Sequence, residues 1–255
     1  MRSPGRMRWV SVAGMVDALF GVPRLVAVYD LLDAGRGDLE HYVAMVGEFG
    51  ARQVLDVGCG TGELACWLAR IGVEVVGVDP AEASLEVARG KEFADRVRWI
   101  HGDATTLPPL QVDLAVMTGN VAQVFLTDED WAATLSGVHA ALKPDGRFVF
   151  ETRDPARRQW EEWTREPTHQ VQPVPGGGTV EVWSELVDVE LPYVTFRGTY
   201  VFSSDGAVFT SDSTLRFRER DEVEASLAAA GFAVDEVREA PDRPGKEWVF
   251  VTRRL

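Results

Sequence analysis

Cysteine is almost missing from this 255-residue chain. Cys59 and Cys66 are the only two, and their spacing supports neither a disulfide framework nor a zinc site, so both read as small buried residues. Histidine is nearly as scarce. His41, His101, His139 and His169 are scattered, with no serine, cysteine or metal-spaced partner, which argues against a histidine-activated nucleophile or a metal centre. Basic charge is also short: 26 Lys plus Arg against 40 Asp plus Glu give a formal charge of −14. A field of that sign repels phosphate backbones and anionic headgroups, so neither nucleic acid nor a membrane surface is expected as a partner. The arginine clusters (Arg2, Arg6 and Arg8; Arg157 and Arg158; Arg253 and Arg254) are short enough to be solvated faces. No apolar run reaches the roughly 18 residues of a membrane span. The N-terminal apolar segment is interrupted by Asp17 and followed by no clean cleavage signal, which argues against a secretory leader. A cytoplasmic location is expected.

What is present is a globular composition, 45% hydrophobic and 26% charged, over a length that suits one elaborated domain. From residue 53 onward, short β-type runs alternate with helical patterns, as in a parallel sheet covered by helices on both faces. Strands are expected at 53–58, 73–79, 97–103, 112–119 and 147–152. Helices are expected at Glu63–Arg70, at about 82–89, and from Trp131 to Leu142, where Thr127 and Asp130 resemble a capping box and "KPDG" (143–146) is the stop. Near the end, Val223, Leu227 and Ala230 mark a helix closed by Gly231, followed by strands at 232–237 and 247–254. Some 65 residues break this alternation. There "REPTHQVQPVPGGGT" (165–179) reads as loop, and 179–191, 193–202 and 207–217 read as a small antiparallel sheet with an Asp205-Gly206 turn.

The strand at 53–58 runs into Gly58-Cys59-Gly60-Thr61-Gly62 and then directly into a helix. Such a turn exposes backbone at the carboxyl end of the sheet, where α/β folds bind nucleotides. The dinucleotide fingerprint requires its third glycine one position later, where this chain has Glu63. Asp79 closes the second strand, 17 residues after Gly62, at the place where such folds put an acid against ribose hydroxyls.

The stretch D-V-G-C-G-T-G, Asp56 to Gly62, resembles the first motif of the class I S-adenosylmethionine-dependent methyltransferases. The resemblance implies that the loop Gly58, Cys59, Gly60, Thr61 and Gly62 lies against the methionine part of the cofactor while Asp56 organises it. Asp79 and Pro80 then correspond to the ribose site, Asp103-Ala104 to the pair that recognises adenine, and "VDLAVMTGN" (112–120), with Thr118 and Gly119, to the motif facing the reactive sulfonium. It covers about 50–152 by motif and 232–253 by pattern. The implied fold is a Rossmann-like, doubly wound α/β seven-stranded sheet with an antiparallel last strand, plus an N-terminal helical segment and the small inserted antiparallel sheet. Within one domain, 1–255, this divides into a helical lid (20–49), a cofactor core (50–152), an insertion on the substrate side (153–218) and a C-terminal part of the core (219–255).

The stretch 28–45 and the inserted sheet are similar to small-molecule N-methyltransferases, including those acting on amino sugars and peptide termini. The expectation is therefore methyl transfer from S-adenosyl-L-methionine to a small-molecule nitrogen, with hydroxyl oxygen as the other acceptor. An in-line displacement from a sulfonium needs aligned reactants and a dry site more than a dedicated nucleophile. Asn120, just after the fourth strand, is the best-placed polar group to orient the acceptor, and His169 is the histidine placed to reach it. Tyr29, Arg36 and Tyr42 lie on the segment expected to close over the cofactor, and Tyr29 and Tyr42 are candidate substrate contacts. The alternatives are a non-catalytic S-adenosylmethionine-binding module and an NAD(P)-dependent oxidoreductase; the missing late glycine and the Asp103-Ala104 pair oppose the second.

Overall fold

A computed structural model describes residues 16–32 and 37–255. Arg36, the arginines Arg2, Arg6 and Arg8, and most of the apolar segment after them lie outside the described residues. The N-terminal part forms α1 (Ala18–Gly21), α2 (Pro23–Leu32) and α3 (Asp38–Glu48). The alternating core follows as β1 (Gln53–Val57), α4 (Glu63–Arg70), β2 (Glu74–Asp79), α5 (Glu82–Arg89), β3 (Val97–His101), β4 (Val112–Met117), α6 (Asp128–Ala141) and β5 (Leu142–Arg153). After the insertion come α8 (Arg220–Ala229), β10 (Phe232–Glu239) and β11 (Glu247–Arg254).

These strands make one seven-stranded sheet in the order β10-β11-β5-β4-β1-β2-β3. β11 pairs antiparallel with both of its neighbours, while β5, β4, β1, β2 and β3 run parallel. Its two faces bury separate cores, as alternation along each strand requires. Leu55, Ala115, Phe148 and Phe250 meet Leu135 and Val138 of α6 and Leu227 of α8 on one side. Val54, Leu114, Val149 and Val249 meet α3 and α4 on the other. Leu135, Val138 and Leu227 are fully buried, each worth about 1.5–3 kcal/mol of transfer free energy. Thr127 caps α6, its Oγ1 accepting from Asp130 N at 3.0 Å. α6 gives way to β5 at Leu142, before "KPDG"; that stretch, with Asp145 at φ 61°, bends the start of the strand.

The insertion holds more structure than its composition suggests. The proline- and glycine-rich stretch expected to be loop contains a short helix α7 (Arg165–Thr168) and a strand β6 (Gln170–Pro173). Main-chain pairing with β7 (Thr179–Glu190) overrides the local loop composition: Gln170 lies opposite Val182 and Pro173 opposite Thr179. Pro173 sits where it costs least, at the end of an edge strand. With β8 (Tyr193–Phe202) and β9 (Val208–Arg216) these form a four-stranded antiparallel sheet, β6-β7-β8-β9. The turn at Asp205-Gly206 is as expected, with Gly206 N donating to Phe202 O at 2.9 Å.

One face of this second sheet is apolar and packs on the N-terminal helices. Val180, Val182, Tyr200 and Phe202 bury against Leu25 and Val28 of α2. Ser211 Oγ on β9 accepts from Leu19 N at 2.9 Å, and Ser213 Oγ donates to Asp17. The helices are thus held between the inserted sheet and the cofactor core.

Candidate active site

Hydrogen bonds and packing join the four motif regions at the carboxyl ends of β1 to β4. Gly58 N and Cys59 N donate to Val78 O of β2 at 2.8 and 3.1 Å, which ties the glycine loop to the neighbouring strand. Asp79 completes the tie: its Oδ2 accepts from Gly60 N and its Oδ1 from Ala81 N, each at 2.8 Å. Gly102 N, after β3, donates to Asp79 O at 3.0 Å. Val121, just beyond the turn after β4, lies against Gly58.

The three glycines of the loop have different physical causes. A Cβ on Gly62 would stand 2.5 Å from Trp99 Cη2 and 2.9 Å from Ala88 Cβ, and one on Gly58 would stand 2.8 Å from both γ-carbons of Val121. Those two are required by the protein's own side chains. A Cβ on Gly60 would meet nothing within 4 Å. At Gly60 only the left-handed backbone, φ 52°, calls for glycine and the space beside it is open, and Gly119, after β4 with φ 73°, is open in the same way.

Asp56 is buried within β1, between Gly77 of β2 and Val116 of β4. Thr61 Oγ1 donates to Asp30 Oδ1 of α2 at 2.6 Å, and Asp30 Oδ2 pairs with Lys91 Nζ at 2.6 Å. Lys91 also pairs with Glu63 at the start of α4. Helix α2 is thereby fastened to the glycine loop. Cys59 and Cys66 are both buried free thiols; burial holds Cys59 well above the usual thiol range and pushes Cys66 up to about 11, so neither is reactive.

Burial also raises the Asp79 carboxyl, opposed by its two backbone N–H bonds. Each of its oxygens keeps a second lone pair, so ribose hydroxyls have acceptors to bind. Pro80 O accepts from the His101 ring at 3.0 Å, which makes His101 a structural residue. Asp103 is exposed, with Oδ1 accepting from Thr105 N at 2.8 Å and Thr105 Oγ1 at 2.6 Å. Its Oδ2 has no hydrogen bond among the described residues, which leaves it for an exocyclic amine. Ala104 is buried against α6, where a Cβ on Gly137 would come within 2.0 Å of Ala104 O. The residues present therefore fit S-adenosylmethionine: an open glycine, a strand-end acid beside it, an adenine-side acid and an open Gly119.

The acceptor-side expectations fare differently. Asn120 is 2% exposed and turns its amide inward, with Nδ2 donating to Glu247 Oε1 at 3.1 Å and its backbone N–H to Glu151 Oε1 at 2.8 Å. It braces the turn from behind. His169 sits beside β6, bonded to Glu181 Oε1 at 2.9 Å. Glu181 points away from the face carrying Val180 and Val182, so His169 lies on the outer side of the inserted sheet and is not brought to the site. Tyr42 is 2% exposed within the α3 core, its ring tilted against that of His41 at 4.0 Å. Tyr29 on α2 lies against Phe20 at 5.6 Å and close to Tyr200 of the inserted sheet, in the layer between the two sheets. His139 packs on Phe232. Thr118 is buried beside Gly119.

Sequence reasoning missed the charges behind Asn120: Glu151 and Arg153 at the end of β5, Glu247 at the start of β11, and Arg243 before it. Arg243 and Arg153 approach Glu247 Oε1 at 2.8 and 3.5 Å. Burial lowers Arg153 to about 10, while burial and then Glu247 raise Glu151 to about 8. An acid inside the apolar run "RFVFET" was the legible signal. A groove of about 1030 Å³, lined by Gln53, Glu74, Arg98, Leu110 and Gln111 among others, runs along the amino ends of β1 and β2 and reaches Ala104 and Thr105 at one side.

A strand-loop-helix glycine turn, a strand-end acid and an antiparallel final strand define a nucleoside-cofactor enzyme built on the methyltransferase sheet. Residues 54–146 match the family model described as a methyltransferase domain. A Geobacillus sp. (strain WCH70) protein named as a methyltransferase is 27% identical over 238 residues, 87% of this chain and 92% of that one. The cypemycin N-terminal methyltransferase of a Streptomyces species is 33% identical over 52% of this chain and 56% of its own length. A ubiquinone biosynthesis O-methyltransferase of Alkalilimnicola ehrlichii is 47% identical over 45% of this chain and 47% of its own; the chain thus spans about half the length of these last two relatives. The sugar N-methyltransferase KedS8 from Streptoalloteichus superposes with a TM-score of 0.72 at 21% identity, covering 100% of this chain and 99% of that one. Residues 54–146 thus form a methyltransferase domain, the whole chain has the fold of solved S-adenosylmethionine-dependent methyltransferases, and S-adenosyl-L-methionine is the cofactor. Among the described residues no helix is long and apolar enough to cross a membrane.

Proposed function

We propose that this methyltransferase acts on a nitrogen of a small molecule, seated between the carboxyl ends of β4 and β5 and the inner face of the inserted sheet. The observation that carries this reading is the placement of the histidines. His169 faces outward, His101 and His139 are taken up in structural contacts, and His41 is half-buried against Tyr42. A hydroxyl acceptor needs its proton removed, whereas an amine needs only to be presented with its lone pair free. Likeness to proteins named for N-methylation, one over the whole of both chains, supports the same reading. The cofactor supplies the activated methyl carbon.

The chain's own residues bind and align. Gly58–Gly62, Asp79, Pro80, Asp103, Ala104, Thr118 and Gly119 hold the cofactor; Asp56 sets the loop. The α1–α2 layer, fastened by Asp30 to Thr61, closes the site from water and presents Tyr29, while Asn120 braces the turn below the acceptor. On this reading the single domain divides into a lid (20–49), a cofactor core (50–152), a substrate-side insertion (153–218) and a C-terminal part of the core (219–255).

The test is transfer of a labelled methyl group to matched acceptors differing by an amino group in place of a hydroxyl. The amine should be methylated, and its subsaturating rate should rise with pH toward that amine's own pKa, moving when an analogue of different pKa replaces it. Methylation of the hydroxyl member alone, with a pH profile indifferent to the acceptor, would overturn the nitrogen reading.

A further inference from the structure

Glu151 stands on β5 directly behind the Gly119–Asn120 turn. It is 5% exposed, its Oε1 accepts the Asn120 N–H at 2.8 Å, and its buried Oε2 has no hydrogen-bond partner among the described residues. The Asn120 Oδ1 beside it is likewise buried and without a partner. The charged groups that face Glu151 are Glu247 on β11, Arg243 before β11 and Arg153 on β5; His41 on α3 lies within the field of Glu247. Both guanidiniums are committed to Glu247, and Arg153 gives its NH1 to Gln123 Oε1 at 2.9 Å. Glu151 makes no ion pair among the described residues.

The site thus contains a buried carboxylate with one uncommitted oxygen and no cation of its own, next to a glycine that faces open space. Such a group holds a proton until a positive charge arrives to balance it. Burial and the like charge of Glu247 keep it protonated into the neutral range.

We propose that Glu151 senses the charge of the cofactor: it is protonated in the free enzyme, loses that proton to solvent when the sulfonium of S-adenosylmethionine is bound, and regains it once the sulfonium has become the neutral thioether of S-adenosylhomocysteine. No covalent bond to the protein forms or breaks beyond the O–H of Glu151, and the charge balances at each stage. One positive charge leaves as a proton when the cationic cofactor enters, and one proton returns from solvent when the methyl cation has passed to the acceptor. The consequence is selectivity. The ionised carboxylate favours the methyl donor over the spent product, and it does so more strongly as pH rises through the range in which free Glu151 is protonated. The ammonium and carboxylate of the amino-acid part are common to both cofactor forms, so a difference between them isolates the sulfonium.

The experiment is titration calorimetry of the full chain with S-adenosylmethionine and with S-adenosylhomocysteine, in two buffers of different ionisation enthalpy at pH 7. S-adenosylmethionine should release more protons than S-adenosylhomocysteine, by at least about half a proton per site. The ratio of the two Kd values should shift in favour of the donor by up to about tenfold per pH unit below pH 7.5 and level off above about 8.5. In Glu151→Gln the difference in proton release should vanish and the ratio become flat. Equal proton counts in the wild type, a flat wild-type ratio, or a difference that survives in Glu151→Gln would each overturn the assignment. Should that variant not fold, the wild-type Kd ratio against pH decides alone.

Discussion

Replacing Gly60 and Gly62 by alanine, one at a time, separates the cofactor's demand on the loop from the protein's own. Both residues have positive φ, 52° and 78°, so either alanine pays the left-handed penalty of about 1–2 kcal/mol. At Gly62 the new methyl also meets Trp99 at 2.5 Å and Ala88 at 2.9 Å. Trp99 has little room to yield, because its Nε1 donates to Ala94 O at 3.0 Å and its ring already lies where a Cβ on Gly77 would be 2.9 Å away. Overpacking of this kind adds about 1–3 kcal/mol. Gly62→Ala should therefore lose about 2–5 kcal/mol of stability, the sum of the two terms, and Gly60→Ala about 1–2, the left-handed penalty alone. In cofactor affinity the order should reverse. Gly60→Ala puts a methyl into the open space against which the cofactor lies, and should weaken S-adenosylhomocysteine binding by on the order of tenfold or more, about 1.4 kcal/mol. Denaturant unfolding of both variants, with calorimetric titration of S-adenosylhomocysteine into each folded protein, reads both quantities. Wild-type affinity in Gly60→Ala, or equal stability losses in the two variants, would refute the reasoning.

Three further outcomes are expected. Asp30→Ala removes the acceptor of Thr61 Oγ1 and one partner of Lys91, so the α2 layer should be cut faster by protease and cofactor Kd should rise several-fold, in line with a lost hydrogen bond of about 0.5–1.5 kcal/mol. His169→Ala should leave kcat/KM within about twofold of wild type, far from the roughly 10²–10⁴-fold of a lost general base, because the ring is bonded to Glu181 on the outer face of the inserted sheet. The third concerns stability against pH. Glu151 is raised in the folded state from 4.5 to about 8, so between those values the native state holds a proton that the unfolded chain has lost, and wild-type stability falls as pH rises through that window. In the absence of cofactor, Glu151→Gln should remove this slope and unfold at higher denaturant concentration than the wild type at pH 8; a steeper loss in the variant would contradict the assignment.

Elements whose own sequence decides their structure were readable. Glu63–Arg70 and 82–89 carry helical spacing and clear ends, and the helices have those bounds. Of the motif acids, Asp79 ends β2, Asp56 lies inside β1 one residue from its end, and Asp103 stands two residues beyond β3, all in the strand-to-loop segments that the pattern marks. β6 was not readable, because its strand state comes from pairing with β7 and its own residues spell loop. The same limit hid the functional side chains. Whether Asn120 faces an acceptor or Glu247 depends on its left-handed φ of 60° and on charges brought from β5 and β11. Which face His169 occupies depends on the register of a strand that composition conceals. Nor could the string tell that Gly58 and Gly62 serve Val121 and Trp99 while Gly60 alone of the three is open.

The most direct measurement is a crystal structure of the protein grown with S-adenosylhomocysteine. Backbone contact at Gly60, ribose hydroxyls on Asp79, adenine at Asp103-Ala104, and the sulfur facing Gly119 with Glu151 behind it are the expected result. Density for the ligand in the groove lined by Gln53, Glu74 and Arg98, or a ribose that leaves Asp79 untouched, would contradict it.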